Sequence, residues 1–278
     1  MGSSNFEISG VPVGAGQRLF LIAGPCVVED RGMMMRTAEF MIALTERLGI
    51  SFIFKSSFLK ANRTAQASPE GPGLEKGLEI LGQIRDKLDV PICTDIHEIE
   101  QVEPVAEVAD VLQIPAFLCR QSALIRAAAA TGRVVNIKKG QFMDPGLMCA
   151  AAEKARSAGS SRVMLTERGS FFGYSDLVVD FRAIARMAAC GCPVVFDATH
   201  SVQQPGGAGD SSSGQRQYVE LLARAAVAAG VDGLFLEVHP EPARALSDRQ
   251  TQLSLEEAEN ILPPLVELAD FVRDRNLI

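Results

Sequence analysis

Tryptophan is absent from the 278 residues and tyrosine occurs only twice, leaving few flat side chains for stacking on bases. Positive charge is not in excess. Lys and Arg number 27 against 34 Asp and Glu, a net charge of −7, whereas tracking a phosphate backbone needs a positive face. No nucleic-acid partner is expected, although a local basic pocket is compatible with this balance. The apolar runs are far shorter than a membrane span, so no membrane partner is expected either. The opening MGSSNFEISGVPVG lacks a basic start and an apolar stretch, and so does not read as a secretory leader. Cys26, Cys93, Cys119, Cys149, Cys190 and Cys192 fall at no regular spacing. Reduced thiols in a cytoplasm are the expectation, most of them small buried hydrophobes, with Cys190 and Cys192 read as packing residues.

What is abundant is apolar: 47% of the chain is hydrophobic, enough for one large core across residues 1–278. Short apolar or β-branched runs at 19–23, 52–56, 92–95, 111–114, 134–138, 163–166, 194–197 and 234–238 predict eight strands. Helical stretches at 33–48, 74–88, 145–158, 215–229 and 255–275 lie between or after them. The strand runs are continuous rather than alternating, as in parallel strands covered on both faces. Eight βα units without a linker predict a closed (β/α)8 TIM barrel, with an open doubly wound sheet as the alternative. FEISGVPV at 6–13 predicts a short β-hairpin around Gly10 that closes the bottom of the barrel. PGGAGDSSSG at 205–214 is too polar and Gly-rich to pack, and reads either as a solvated connection or as a lid.

Barrel active sites gather where strands end, and the chemistry-bearing residues fall there. Lys55, Lys60 and Arg63 follow the second strand, and Asp95 and His97 the third. Gln113 and Arg120 follow the fourth, Lys138 ends the fifth, Arg168 follows the sixth and His200 the seventh, with Glu237 and His239 at the eighth. One lysine at a strand end is ordinarily a surface charge. Six cations at one mouth of an acidic protein predict polyanionic ligands, with Arg offering a fork to phosphate or carboxylate and Lys a point charge. Cys26, His200, Glu237 and Asp248 come from neighbouring strands one, seven and eight. As a set they would suit zinc or iron, or manganese, better than magnesium; the alternative is a buried Cys among ordinary polar neighbours.

The runs LIAGPCVVE, FKSSFLKANRT, GPGLEKGLEIL, QIPAFLCRQ, VNIKKGQFMDP, LTERGSFFGY, FDATHSVQ and FLEVHPEPARALSD occur in order from about residue 19 to 253. Together they resemble the 3-deoxy-manno-octulosonate-phosphate synthases, also called 2-dehydro-3-deoxyphosphooctonate aldolases. The resemblance implies a homotetrameric barrel that condenses phosphoenolpyruvate with arabinose 5-phosphate and releases phosphate, for lipopolysaccharide biosynthesis. It implies that Lys55, Lys60, Gln113, Lys138 and Arg168 hold phosphoenolpyruvate. Ser57, Asn62 and Arg63 would hold the sugar phosphate beside Asp95, and Arg120 would reach a neighbouring subunit's site. Cys after AGP marks the metal-dependent branch, which implies a divalent ion on Cys26, His200, Glu237 and Asp248. Lys138, Cys26, His200 and Asp248 are its candidate catalytic groups. The chain departs from the family's pattern at Leu59 and Glu70. The rivals are the related heptulosonate synthases, which use erythrose 4-phosphate and carry KPRT for KANRT, and sialic-acid-type synthases. A Schiff-base aldolase acting through Lys138 or Lys55 and a non-catalytic binding protein are rivals of other classes.

Overall fold

Within each predicted strand the continuous apolar run hides two faces with different partners. The computed structural model describes residues 5–61, 70–171, 176–204 and 213–277. Eight parallel strands close into a barrel: β1 (Phe20–Gly24), β2 (Ser51–Lys55), β3 (Ile92–Asp95), β4 (Val111–Ile114), β5 (Val134–Lys138), β6 (Val163–Glu167), β7 (Val194–Asp197) and β8 (Gly233–Glu237). Each pairs with its chain neighbours, and β8 closes onto β1. The closed sheet removes the open-sheet alternative, and every strand boundary lies within one residue of its expected place.

Among the described residues, eight helices surround the sheet: α1 (Arg31–Leu48), α2 (Leu74–Leu88), α3 (Val102–Val108), α4 (Ser122–Ala130), α5 (Met148–Ser157), α6 (Arg182–Ala188), α7 (Val219–Ala228) and α8 (Leu255–Asp274). The stretches expected at 145–158 and 215–229 open as 3-10 turns, Pro145–Leu147 and Arg216–Tyr218, before α5 and α7. Outward residues such as Leu21, Phe54, Leu112 and Leu165 join the helices in one large cluster. Inward residues Phe20, Ile22, Ile53, Cys93, Val111, Val134, Met164, Val195 and Phe235 form a second cluster. The hairpin of Phe6–Ile8 and Val11–Val13 adds Ile8, Val11 and Val13 to that inner cluster, so it plugs the N-terminal end of the barrel as expected. Ser9 and Gly10 turn it at φ 46° and 85°. The left-handed backbone there is why a glycine stands at the turn.

The inner face changes character along the strands. Past the apolar floor, the next inward positions are Lys55, Asp95, Gln113, Asn136, Lys138, Thr166, Asp197 and Glu237, all buried. Strand ends therefore bring polar groups into one layer at the C-terminal mouth, where barrel sites form. Gly24 ends β1 because a Cβ there would lie 2.1 Å from the Lys55 carbonyl oxygen. That close approach frees the AGPC turn to carry Cys26 over the barrel.

The thiols need one correction. Cys26, Cys93, Cys119 and Cys192 are free and buried, but Cys149 and Cys190 form a disulfide across 41 residues. Cys149 stands in the first turn of α5 and Cys190 just beyond α6. Their Cα atoms come within 5.0 Å, a proximity created by barrel closure rather than by sequence spacing.

Candidate active site

The layer at the mouth is a web of opposite charges. Lys55 Nζ lies 3.6 Å from Asp95 Oδ2 and 3.7 Å from Glu237 Oε1, and Lys60 Nζ lies 3.9 and 3.8 Å from the same two atoms. Both ammonium groups donate to Ser57 Oγ at 2.9 Å, and the Ser57 hydroxyl donates to Asp95. On the other side Lys138 Nζ meets Asp197 Oδ2 at 2.5 Å and sits 3.8 Å above the Phe235 ring. Arg168 is buried; its Nη2 donates to Gln203 Oε1 at 2.6 Å, while its Nη1 has no hydrogen-bond partner among the described residues.

From their placement alone, the six expected cations would repel one another until an anion binds. The structure corrects this: Asp95, Asp197, Glu237 and Asp248 are interleaved with Lys55, Lys60, Lys138 and Arg168 and neutralise much of their charge. Burial alone would lift Asp95, but Lys55, Lys60 and His97 hold it well below the usual carboxylate range. Burial alone would lower Lys60, but Cys26, Glu237, Asp95 and Asp248 raise it instead. Asp197 is likewise held low against burial by His200 and Lys138.

Three of the four expected metal ligands, Cys26, Glu237 and Asp248, place their donor atoms within 4.8 Å of one another. The fourth, His200, turns Nε2 to within 3.5 Å of Glu237 Oε1 and 3.6 Å of Asp248 Oδ2. Its Nδ1 lies 2.8 Å from Asp197 Oδ2, which orients the ring. Among the described residues neither carboxylate oxygen of fully buried Glu237 has a hydrogen-bond partner, and the ammonium groups of Lys55 and Lys60 approach only Oε1, at 3.7 and 3.8 Å. Burial pushes the Cys26 thiol well up, and the charges of Asp248 and Glu237 push it further. A thiol, two carboxylates and an oriented imidazole fit a borderline divalent ion, which would satisfy Glu237 and favour the thiolate.

Asp248 reaches the group from a left-handed backbone position, φ 47°, that Asp tolerates better than most residues. Gln252 ties this loop to the AGPC turn: its Oε1 accepts from the Cys26 amide at 3.1 Å and its Nε2 donates to the Ser247 carbonyl.

Other expected residues fall differently. His97 packs edge-on against Phe58, and burial lowers it. His239 faces Glu29 at 3.5 Å, apart from the metal group. Arg120 is exposed on the turn before α4 and makes no hydrogen bond or ion pair with the cluster among the described residues. Asn62 and Arg63 lie outside the described residues, as does 205–212 of the expected loop; beside it Gln203–Gln204 pairs with Ser213–Gly214. Of the departures from the family's pattern, Leu59 packs against the core and Glu70 is exposed, its carbonyl accepting from the Lys60 amide.

Sequence reasoning passed over Asp197, Gln252, Lys139, Asn136 and Thr166. Asp197 stands three residues before His200 at a strand end, a signal that was present. Lys139 is fully buried, bonded to Gly169 O, Gly140 O and Ser170 Oγ, and 3.5 Å from Glu167. Burial drives both members of that pair toward neutrality, Lys139 down and Glu167 up. Glu167 in turn accepts from the Arg168 and Gly169 amides, setting the turn that carries Arg168.

Comparison with known proteins shows the family to which the chain belongs. The family model described as the DAHP synthetase I family matches residues 4–273. A 2-dehydro-3-deoxyphosphooctonate aldolase of Desulfotalea psychrophila is 53% identical over 266 residues, covering 96% of this chain and 95% of its own. One from Geobacter sp. strain M21 is 54% identical, covering 95% and 97%, and one from Stenotrophomonas maltophilia strain K279a is 52% identical, covering 94% and 95%. The chain belongs to the DAHP synthetase I family and, within it, to the 2-dehydro-3-deoxyphosphooctonate aldolases.

Proposed function

We propose that this chain condenses phosphoenolpyruvate with D-arabinose 5-phosphate and water, giving 3-deoxy-D-manno-octulosonate 8-phosphate and phosphate. The observation that carries the reading is the joining of two groups at one mouth. Lys55, Lys60, Lys138 and Arg168 lie beside Cys26, His200, Glu237 and Asp248, in a chain whose relatives bear the aldolase name.

In this reading Lys55, Lys60, Gln113, Lys138 and Arg168 hold phosphoenolpyruvate, with the unpartnered Arg168 Nη1 facing its phosphate. Ser57, Asn62, Arg63 and Asp95 hold the sugar phosphate, and Arg120 of a neighbouring copy in a homotetramer grips its far end. Fixing the enol carbon against the open-chain aldehyde removes much of the entropic barrier to their union. The enol carbon attacks the aldehyde carbon, water adds at C2, and phosphate leaves C2.

Cys26, His200, Glu237 and Asp248 would hold one zinc, iron or manganese ion, which when bound supplies a Lewis acid that polarises an oxygen in the site. Were Glu237 and Asp248 so engaged, Lys55, Lys60 and Arg168 would have less anionic charge beside them and more to offer substrate. With Nε2 turned to the ion and Nδ1 to Asp197, His200 is a ligand in this reading rather than a proton carrier.

A Schiff base at Lys138 or Lys55 fits poorly, because carboxylates engage both amines. Among the described residues no helix is long and apolar enough to cross a membrane, and the reading places the enzyme in the cytoplasm, serving lipopolysaccharide synthesis. Phosphate release measured with arabinose 5-phosphate and with erythrose 4-phosphate tests the substrate. Turnover with the first is expected, and turnover with the second alone would overturn the assignment.

A further inference from the structure

One chain of buried side chains crosses five neighbouring strands and ends on a residue that the mechanism leaves idle. Thr166 Oγ1 donates to Asn136 Oδ1 at 2.7 Å, Asn136 Nδ2 to Gln113 Oε1 at 3.0 Å, and Gln113 Nε2 to Asp95 Oδ1 at 2.6 Å. The other Asp95 oxygen accepts from Ser57, which accepts from Lys55 and Lys60. Thr166 on β6, Asn136 on β5, Gln113 on β4 and Asp95 on β3 are each almost or wholly shielded from solvent.

The direction of every bond follows from the charged end. Asp95, with two ammonium groups within 3.9 Å, is an ionised carboxylate and only accepts. The Gln113 amide must therefore turn its NH2 to Asp95 and its oxygen to Asn136. Asn136 must then turn its own NH2 to Gln113 and its oxygen to Thr166. A donor is needed at the far end, and the threonine hydroxyl is that donor. Were it absent, the Asn136 oxygen would be left unpaired and the orientation of the two amides would rest on Asp95 alone.

We propose that Thr166 and Asn136 are positioning residues that lock the orientation of the Gln113 amide, and through it Asp95, for phosphoenolpyruvate. The inference rests on the functional reading above. Neither side chain needs to touch substrate; they act on which atoms Gln113 and Asp95 present to it.

The test compares Thr166→Val, which keeps shape and removes the donor, with Thr166→Ser, which keeps the donor and removes a methyl group. Phosphoenolpyruvate affinity by calorimetry and steady-state phosphate release are read on the same preparations. Left without its donor, the buried Asn136 acceptor no longer holds the Gln113 amide firmly, so T166V should weaken phosphoenolpyruvate binding and raise its KM roughly tenfold. The change falls mainly on KM rather than kcat, because the lost contact belongs to ground state and transition state alike. T166S should restore most of the affinity.

Asn136→Asp, whose new carboxylate cannot donate to Gln113, should show the same loss and supplies the test if T166V fails to fold. Wild-type affinity and KM in T166V, or in N136D where T166V does not fold, would overturn the inference. So would a T166S protein as impaired as T166V, which would mean that the methyl group and not the hydroxyl matters. Wild-type protein that binds phosphoenolpyruvate but releases no phosphate with arabinose 5-phosphate would overturn the functional reading alone, and the affinity comparison would still decide this one.

Discussion

Phe235 occupies the junction between the dry floor of the barrel and its charged mouth. Lys138 Nζ lies 3.8 Å and Lys55 Nζ 5.4 Å from its ring, and the His200 ring packs 5.8 Å away. The aromatic face attracts both ammonium groups while its body belongs to the inner apolar cluster, so one residue both packs the floor and steadies the cations. Lys138 is further bound to Asp197, whose carboxylate it shares with His200. Removing one partner of a buried ion pair leaves the other charge poorly compensated. Lys138→Met should therefore lower stability by about 3 kcal/mol as well as abolish turnover. Denaturant unfolding checks the first effect, and unchanged stability would show that Asp197 is satisfied without the lysine.

At the scale of elements, two aspartates repeat one device at the N-terminal ends of strands. Asp110, just before β4, accepts from the Ile92 amide that opens β3, and Asp232, just before β8, accepts from the Val194 amide that opens β7. Each returns its own amide to the carbonyl of that same residue, which fixes strand register. Asp232 pays for this position: burial pushes its carboxyl up to about 6 from 3.8. A carboxyl raised on folding contributes stability that is present below pH about 4 and lost as pH rises through about 6. Asp232→Asn removes the charge, so it should stabilise the protein at pH 8 by about 1–2 kcal/mol and not at pH 4. Thermal melts across that range check the sign; equal melting temperatures at pH 8 would refute it.

Strands were legible because apolar residues fall on both faces of each instead of alternating, as doubly covered strands need. The web at the mouth was only half legible. Cys26, Lys138 and Glu237 declare themselves by type and place, while Asn136 and Thr166 look like ordinary strand residues until the register sets them beside Gln113. Nor could spacing reveal that Asp197 serves Lys138 and His200 together, since that depends on which residues face inward.

For the whole molecule, the C-terminal mouth is bordered by exposed apolar residues. Phe117, Phe142 and Phe171, each roughly half exposed, follow β4, β5 and β6 respectively, and Arg120 lies three residues beyond Phe117. Such a border suits assembly, in keeping with the proposed tetramer of 29.8 kDa chains and a shared Arg120. Phe117→Asp should dissociate it in sedimentation analysis and raise KM for the sugar phosphate, whereas an intact tetramer would show that this border is not the interface. We propose that a divalent ion on Cys26, His200, Glu237 and Asp248 completes an otherwise charge-balanced site. Its most direct test is metal content and phosphate release, measured together before and after chelation and again after adding back zinc, iron or manganese. We expect one ion per chain, loss of activity with the ion, and recovery with at least one of the three metals. Full activity in metal-free protein would contradict the claim.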